Sequence, residues 1–265
     1  MNLYVPNIGR YAGEIGRWVI KGAAHVVNLH GFAGSILIRM VRRRRSGRVL
    51  VRRAIVEQIY FTAVQALPVL IPVALMIGSV LIIQLAKVAG QYDLGRTVVV
   101  IIVRETGPFL TALLVILRSA TAVTIETSYM KVLHELEALE MAGIDPLRAI
   151  YLPRLAGITA AMLGLFVVFD LVSILGGYAV VWAITYIPMN DFLSQIGKAV
   201  TTLDILASLL KAVCFGAIIT VNSLYRGLES KREITEIPRA TSQAAMESFL
   251  YCLAANIAIS AVFYL

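Results

Sequence analysis

Charge is scarce in this 265-residue chain: Asp, Glu, Lys and Arg supply 15% of it, against 59% hydrophobic residues. Soluble domains carry about 25% charged residues, so this composition and a mean hydropathy of +0.81 exclude one. The scarcity is concentrated. Residues 59–86 hold no charge, and between Arg96 and Glu126 only Arg104, Glu105 and Arg118 interrupt the apolar run. Runs of this length cross the ~30 Å hydrocarbon core as helices. They are continuous rather than alternating, which argues against a transmembrane β-barrel. Cysteine is nearly missing. Cys214 and Cys252 both fall in apolar runs and read as small buried hydrophobes, without disulfide or metal spacing. The chain also lacks a Gly-x-x-x-x-Gly-Lys-Ser/Thr loop, a His/Cys/Asp cluster and a nucleophile–base pair. The expectation is a non-enzyme with no catalytic residue, no metal and no cofactor of its own. Residues 1–17 include Arg10, Glu14 and Arg17 and lack the apolar core of a cleavable signal.

What is present is an all-α, polytopic membrane pattern. Five spans are expected at about 59–86, 97–125, 150–186, 203–225 and 243–265, in one domain over 54–265. Residues 1–53 carry eleven Lys/Arg and one acid, so they hold +10 of a chain whose net charge is +8. A basic arm before the first span reads as cytoplasmic and held at anionic lipid; nucleic-acid binding by Arg42–Arg45 is the reading set aside, because the run abuts a span. The 226–240 loop is also basic, whereas 187–204 nets −1. The N-terminus is therefore expected inside and the C-terminus outside. Within the arm, Arg10, Glu14, Arg17 and Lys21 share one helical face, and Ile8, Ala12, Ile15 and Val19 share another. That pattern predicts an amphipathic helix lying on the inner leaflet. An extra span over 22–41 is the rival reading, weakened by His25, Asn28, His30 and three glycines.

Two stretches break the apolar pattern in informative ways. Arg104-Glu105-Thr106-Gly107-Pro108 puts a charge pair and a helix breaker inside the second span. Charges within a span cost several kcal/mol unless paired or hydrated, so they mark a functional cavity. Pro108 leaves the carbonyl of Arg104 without its helical donor, so a kink is expected there. Adjacent helical residues point ~100° apart, so Arg104 and Glu105 are not expected to pair with each other; one can face the cavity while the other pairs across helices. The second stretch is the connection 131–146. Its Glu, Leu, Ala and Met favour a short amphipathic helix, which Gly143 can close in a left-handed cap and Pro146 prevents from continuing. From composition, this helix is a surface staple or a knob for a partner.

Glu137-Ala138, Gly143 and Leu152-Pro153 resemble the Glu-Ala-Ala…Gly…Leu-Pro loop of ABC permeases, which seats in a groove of the ATPase subunit. A closer resemblance covers about 60–260. It rests on Arg104 through Leu113; on Met130-Lys131, Glu135 through Arg148 and Pro153-Arg154; and on Lys211 through Gly216, Tyr225 through Leu228 and Pro238 through Thr241. Asp170 through Gly177 fits as well. Together and in register, these blocks resemble the MlaE/YrbE family of permeases in MCE-associated phospholipid ABC transporters. Two stretches depart from the family: Ile116 through Thr121 lacks its usual Gly beside the Arg, and 229–237 lacks its Gly-rich character.

The resemblance implies a homodimeric permease of the bacterial inner membrane, with an N-terminal elbow helix and five spans. It also implies cytoplasmic ATPases that bind ATP and Mg, a periplasmic MCE ring, and a phospholipid substrate moved between the inner and outer membranes. Glu135, Glu137, Ala138, Leu139, Met141, Gly143, Asp145 and Pro146 become the expected ATPase-coupling residues. At ~1.5 Å per residue, Arg104, Glu105 and Lys211 share a layer in the outer half of the bilayer, with Asp170 below or near it. These four are the expected lipid-binding residues, with Arg104 or Lys211 on the phosphate. The alternative for them is an ion network that only fixes helix packing. Arg118 is expected near the inner interface. A permease for a small polar solute and a non-transporting membrane scaffold are the rival functions.

Overall fold

The computed structural model describes residues 27–29, 31–36, 38, 48–88, 97–185 and 189–264. The chain divides into two units, Met1–Arg44 and Arg45–Leu265. In the first, residues 27–29 and 31–36 are helical, and Ser35 Oγ donates to the Phe32 carbonyl at 2.7 Å. The amphipathic helix expected over residues 8–21 lies outside the described residues.

In the second unit α1 (Arg48–Thr62) leads through a 3-10 turn, Val64–Ala66, into α2 (Leu67–Val88). The turn has a local cause: Pro68 offers no N–H to the carbonyl of Val64, and its ring crowds that carbonyl. Arg118 secures the junction from the next span, its guanidinium donating to the Phe61 carbonyl at 2.5 Å and to Gln65 at 2.9 Å. It also lies over the Phe61 ring, 4.8 Å from the centroid. Arg118 thus holds a helix break together.

The second span, α3, is continuous but changes winding: π-helical over Val99–Thr106, α-helical over Gly107–Val115, π-helical over Ile116–Ala120 and α-helical over Thr121–Val132. Then come α4 (Glu135–Met141) and α5, which opens with a π turn at Leu147–Tyr151 and runs over Leu152–Thr185. They are followed by α6 (Met189–Ala199), α7 (Thr202–Glu229), a 3-10 turn at Ile234–Glu236, and α8 (Ile237–Tyr264).

Among the described residues, five segments are long and apolar enough to cross a membrane: Val51–Leu85, Val100–Val132, Leu147–Val180, Thr202–Glu229 and Ile234–Tyr264. The helices extend about one to two and a half turns past the expected spans at the end that carries residues 51–58, 126–132, 226–229 and 234–242. Hydropathy ends at the hydrocarbon edge, whereas the backbone stays helical through the polar interface. The stretch 187–204, expected as a loop, contains α6.

α5 and α7 lie at the centre of the bundle; α1 and α2 pack along α5, and α3 and α8 along α7. Small residues allow the close approaches, as in membrane bundles generally. A Cβ at Gly78 would lie 2.3 Å from the Ser173 carbonyl oxygen, and one at Gly216 would lie 2.7 Å from Thr159 Cα. Buried hydroxyls and amides bond across helices: Ser173 Oγ donates to the Ala74 carbonyl at 3.0 Å, and Asn222 Nδ2 to Ala244 and Ser248 at 3.0 and 2.9 Å.

Candidate functional site

The charged layer is built around the break that Pro108 makes in α3. In the π-wound segment each N–H reaches five residues back, as Gly107 does to the Ile102 carbonyl. Pro108 has no N–H to offer, so Val103 loses its donor in π winding, as Arg104 does in α winding. Side chains one turn apart on α7 take both places. Ser208 Oγ donates to the Val103 carbonyl at 2.9 Å, and Lys211 Nζ donates to the Arg104 carbonyl at 2.7 Å. A carbonyl left bare in such a place would cost about 1–3 kcal/mol, so α7 is cross-linked to the weak point of α3.

The side chains of Arg104 and Glu105 then diverge to different helices. Glu105 Oε1 accepts from Lys211 Nζ at 2.9 Å and from Ser260 Oγ at 2.6 Å, while Oε2 accepts from Asn256 Nδ2 at 2.8 Å. Arg104 Nε lies 2.7 Å from Asp204 Oδ1, a close charge contact whose N–H is poorly aligned for a hydrogen bond. Its guanidinium also sits over the Tyr264 ring, 4.4 Å from the centroid. Asp204 is fixed independently: with Thr201 it forms the capping box that starts α7, its Oδ2 accepting from Thr201 N at 2.9 Å. Four formal charges therefore cancel across α3 and α7, and α8 joins through Asn256, Ser260 and Tyr264.

Of the four expected site residues, three share this layer. Both Arg104 and Glu105 pair across helices, where only one was expected to. Lys211 has 0% side-chain exposure and serves two internal acceptors, whereas Glu105 retains 38% exposure. The open edge of the layer is thus a carboxylate, and the ammonium is the part that holds the helices. Asp170 stands apart. It is buried on α5 against Gly107, where a Cβ would fall 1.8 Å from its Oδ1; among the described residues nothing donates to that oxygen. Sequence reasoning missed Asp204, Asn256 and Ser260. Thr201-x-x-Asp204 was a readable capping signal, but nothing in the pattern of α8 distinguished Asn256 and Ser260 from interior packing.

A second site lies at the other end of α3. Lys131 Nζ donates to the Leu228 carbonyl and, at 2.7 Å, to the Ser230 carbonyl, tying the last turn of α3 to the end of α7. His134, at φ +59°, turns the chain into α4. Gly143, at φ +76°, ends it: Gly143 N donates to Glu140 and Ile144 N to Leu139, both at 2.9 Å, the paired bonds of a Schellman cap. Asp145 Oδ1 then accepts from Leu147 N at 3.1 Å and leads through Pro146 into α5. No residue of α4 is buried. Glu135, Glu137, Ala138 and Met141 are exposed, with Leu133 and Ile144 beside them, while Leu139 is half-buried. Glu137 accepts from His134 Nδ1 at 2.7 Å, in the protonation state that donates, and pairs with Arg232. The hydrogen bond to His134 and the charge of Arg232 hold its carboxyl below the usual Glu range. The helix is shorter than the expected 131–146, because Lys131 and Val132 belong to α3.

The model of the permease MlaE family matches residues 55–262. The intermembrane phospholipid transport system permease protein MlaE of Haemophilus influenzae is 30% identical over 215 residues, covering 79% of this chain and 82% of that protein. A probable ABC transporter permease protein of Rickettsia felis is 26% identical over 259 residues, covering 96% and 97%. One from Porphyra purpurea is 25% identical over 216 residues, covering 80% and 82%.

Proposed function

The chain belongs to the MlaE permease family, and from that premise we propose that it is the membrane subunit of an ABC transporter that moves phospholipid between the inner membrane and the periplasm or outer membrane. The observation that carries the substrate reading is the neutralised charge layer across α3, α7 and α8. It sets polar groups inside an apolar bundle and leaves Glu105 open beside exposed apolar residues of α8 such as Leu253 and Ile257. That surface suits an amphipathic molecule better than a small polar solute, whose path would need continuous polar lining. Glu105, with Asn256 and Arg104 beside it, meets the headgroup, and apolar side chains meet the acyl chains. Lys211 acts from behind by fixing Glu105, and Asp170 belongs to the packing beneath the layer.

The exposed cap formed by α4 is the ATPase contact. Met141, Leu133 and Ile144 present apolar side chains beyond the spans, and Glu137–Arg232 and Lys131–Ser230 tie that cap to both α3 and α7. A push on α4 is therefore delivered to the two helices that meet at Pro108. ATP and Mg2+ bind the partner ATPase. Basic residues at this end of the bundle support a cytoplasmic α4 and N-terminus and an external C-terminus. A second copy of the chain completes the permease, and an MCE ring receives or delivers the lipid on the periplasmic side.

The test is gentle purification from native membranes with mass spectrometry of everything retained. The expected result is an ATPase, an MCE protein and bound phospholipid, with the phospholipid reduced in Glu105→Ala while the ATPase stays bound. An ATPase with a soluble binding protein and no lipid would replace this reading with solute import; no ATPase in any detergent would replace it with a scaffold.

A further inference from the structure

At the α4 end of the bundle, α1, α3 and α5 line an open cavity of about 330 Å³. Its volume lies at the lower edge of the range of small-molecule sites. Ala54, Phe61, Val123 and Ile150 supply apolar walls; Glu57, Glu126 and Arg154 supply the charge. Arg154 is the interior group, with 12% side-chain exposure: its NH1 donates to Thr127 and its NH2 to Glu126, each at 2.7 Å. Those bonds fix the guanidinium plane while using only two of its five donors. Glu126 and Glu57 have side-chain exposures of 56% and 67%, so the wall that carries the carboxylates is open. Glu57 is met from the rim by Arg53, 3.0 Å away. The charge layer described above lies at the other end of α3.

Depth narrows the occupant. Ile150 and Arg154 stand three and seven residues into the span that begins at Leu147, about 5–10 Å along the helix at 1.5 Å per residue. Ile150 is thus at the level of the polar interface, which occupies roughly the outer 5–7 Å of each leaflet, and Arg154 lies about one turn deeper, just below it. The carboxylates offer acceptors, and the guanidinium, anchored from behind, offers donors. With Arg53 counted the formal charges cancel, so a net anion would be left without a counter-charge. A headgroup bearing an ammonium on a phosphodiester satisfies both sets at once. Its ammonium goes to Glu57 and Glu126, its phosphate to Arg154, and its glycerol lies against Phe61 and Ile150.

We propose that the cavity between α1, α3 and α5 binds the headgroup of a zwitterionic, amine-bearing phospholipid of the inner leaflet, as a station separate from the α3–α7–α8 layer. The proposal rests on the phospholipid reading given above. In it, lipid is selected by headgroup at the leaflet surface before or after it occupies the layer.

The test uses the purified transporter in nanodiscs containing phosphatidylethanolamine that carries a diazirine near the glycerol, or the matching phosphatidylglycerol, with adducts located by peptide mass spectrometry. Phosphatidylethanolamine is expected to label residues 54–61 and 149–154 at least tenfold more than phosphatidylglycerol. Glu57→Gln/Glu126→Gln is expected to abolish that preference. Ala54→Phe, which fills the cavity, is expected to remove the label while labelling near Glu105 persists. Equal labelling by both lipids would overturn the headgroup chemistry. Labelling near Glu105 with none at the cavity would overturn the site. Loss of label on adding millimolar glycerophosphoethanolamine would assign the site to a soluble zwitterion and overturn the lipid. No lipid adduct anywhere would instead defeat the phospholipid reading on which the proposal stands.

Discussion

Replacing Lys211 with methionine separates the two jobs its ammonium performs. The wild-type Nζ donates to Glu105 Oε1 at 2.9 Å and to the Arg104 carbonyl at 2.7 Å from a position with no solvent access. Methionine fills similar volume and removes both bonds. The lost charge-assisted bond is worth about 1.5–3 kcal/mol, and the bared carbonyl about 1–3 kcal/mol. Freedom from burying an ammonium offsets part of that, and Asn256 and Ser260 still serve Glu105. The net loss is about 3 kcal/mol. Glu105→Gln keeps a side-chain carbonyl but removes the counter-charge, leaving the buried ammonium with neutral acceptors only, a loss of about 3–5 kcal/mol where a charge is stranded. The double variant strands no charge, though the Arg104 carbonyl stays bare, and should lose only about 3 kcal/mol. The interaction energy between the two sites is then about 3–5 kcal/mol, at or above the upper end of measured couplings. Equilibrium unfolding in mixed micelles, read by tryptophan fluorescence, measures the cycle. Additivity within ~0.5 kcal/mol would refute the claim that Lys211 acts through Glu105. Retained lipid, measured on the same samples, should fall with Glu105→Gln even in the double variant, because the open carboxylate is the part assigned to the headgroup.

Gly107→Ala should lower stability by about 1–3 kcal/mol through overpacking, because its Cβ meets Asp170 Oδ1 at 1.8 Å; adding Asp170→Ala should recover most of it, and a melting temperature unaffected by the second change would contradict this. Ser208→Ala should cost about 1 kcal/mol in the native chain and much less beside Pro108→Ala, which returns an N–H to the same stretch of α3; equal costs in both backgrounds would refute the account of the Pro108 break. Gly143→Pro forces φ to about −65° where +76° is needed and removes the N–H bonded to Glu140, so ATPase co-purification should fall while melting of the spans stays unchanged. Glu137 titrates below the usual Glu range in the folded chain. Its pairing therefore stabilises α4 fully above that range and is lost as pH falls through the lowered value. Amide exchange in 134–141 should accelerate only on that acid side, and in Glu137→Gln it should show no such step.

The parts of the fold that depend on local chemistry were readable from sequence. Uncharged runs marked the spans, and Gly143 followed by Pro146 marked the end of α4. Pro108 marked the weak point of α3, because a missing N–H is a property of one residue. The reply to that weakness was not readable. Ser208 and Lys211 lie about a hundred residues away on another helix, and no pattern in α7 announces that its side chains serve carbonyls of α3. Lys211 and Arg104 were expected to share one role because they share a depth. Depth follows from counting residues, whereas access depends on which neighbours close around the side chain. Asn256 and Ser260 went unrecognised for the same reason: one amide and one hydroxyl in an apolar helix become specific only when a carboxylate is placed between them. The winding of α3 was equally hidden. A π turn shifts every later side chain by one residue's rotation, and nothing at Val99–Thr106 or Ile116–Ala120 advertises it beyond the charge each carries.

Those two π segments bear on how the molecule could work. Each contains one arginine of α3, and each arginine secures another helix: Arg104 reaches Asp204 at the start of α7, and Arg118 reaches the break between α1 and α2. Between and beyond them α3 is regular. A helix wound in this way can exchange a π turn for an α turn by shifting one residue of register, a change that costs a few hydrogen bonds rather than the fold. Such a shift at Val99–Thr106 would withdraw one of the two carbonyls from Ser208 or Lys211 and rotate Glu105 relative to α8. The ties at the far end join α3 to the end of α7, through Lys131 and Ser230, and α4 to the turn that follows α7, through Glu137 and Arg232. Movement of α4 would therefore strain the same helix pair that meets at Pro108, and Pro108 is where that pair has the fewest backbone bonds to resist it.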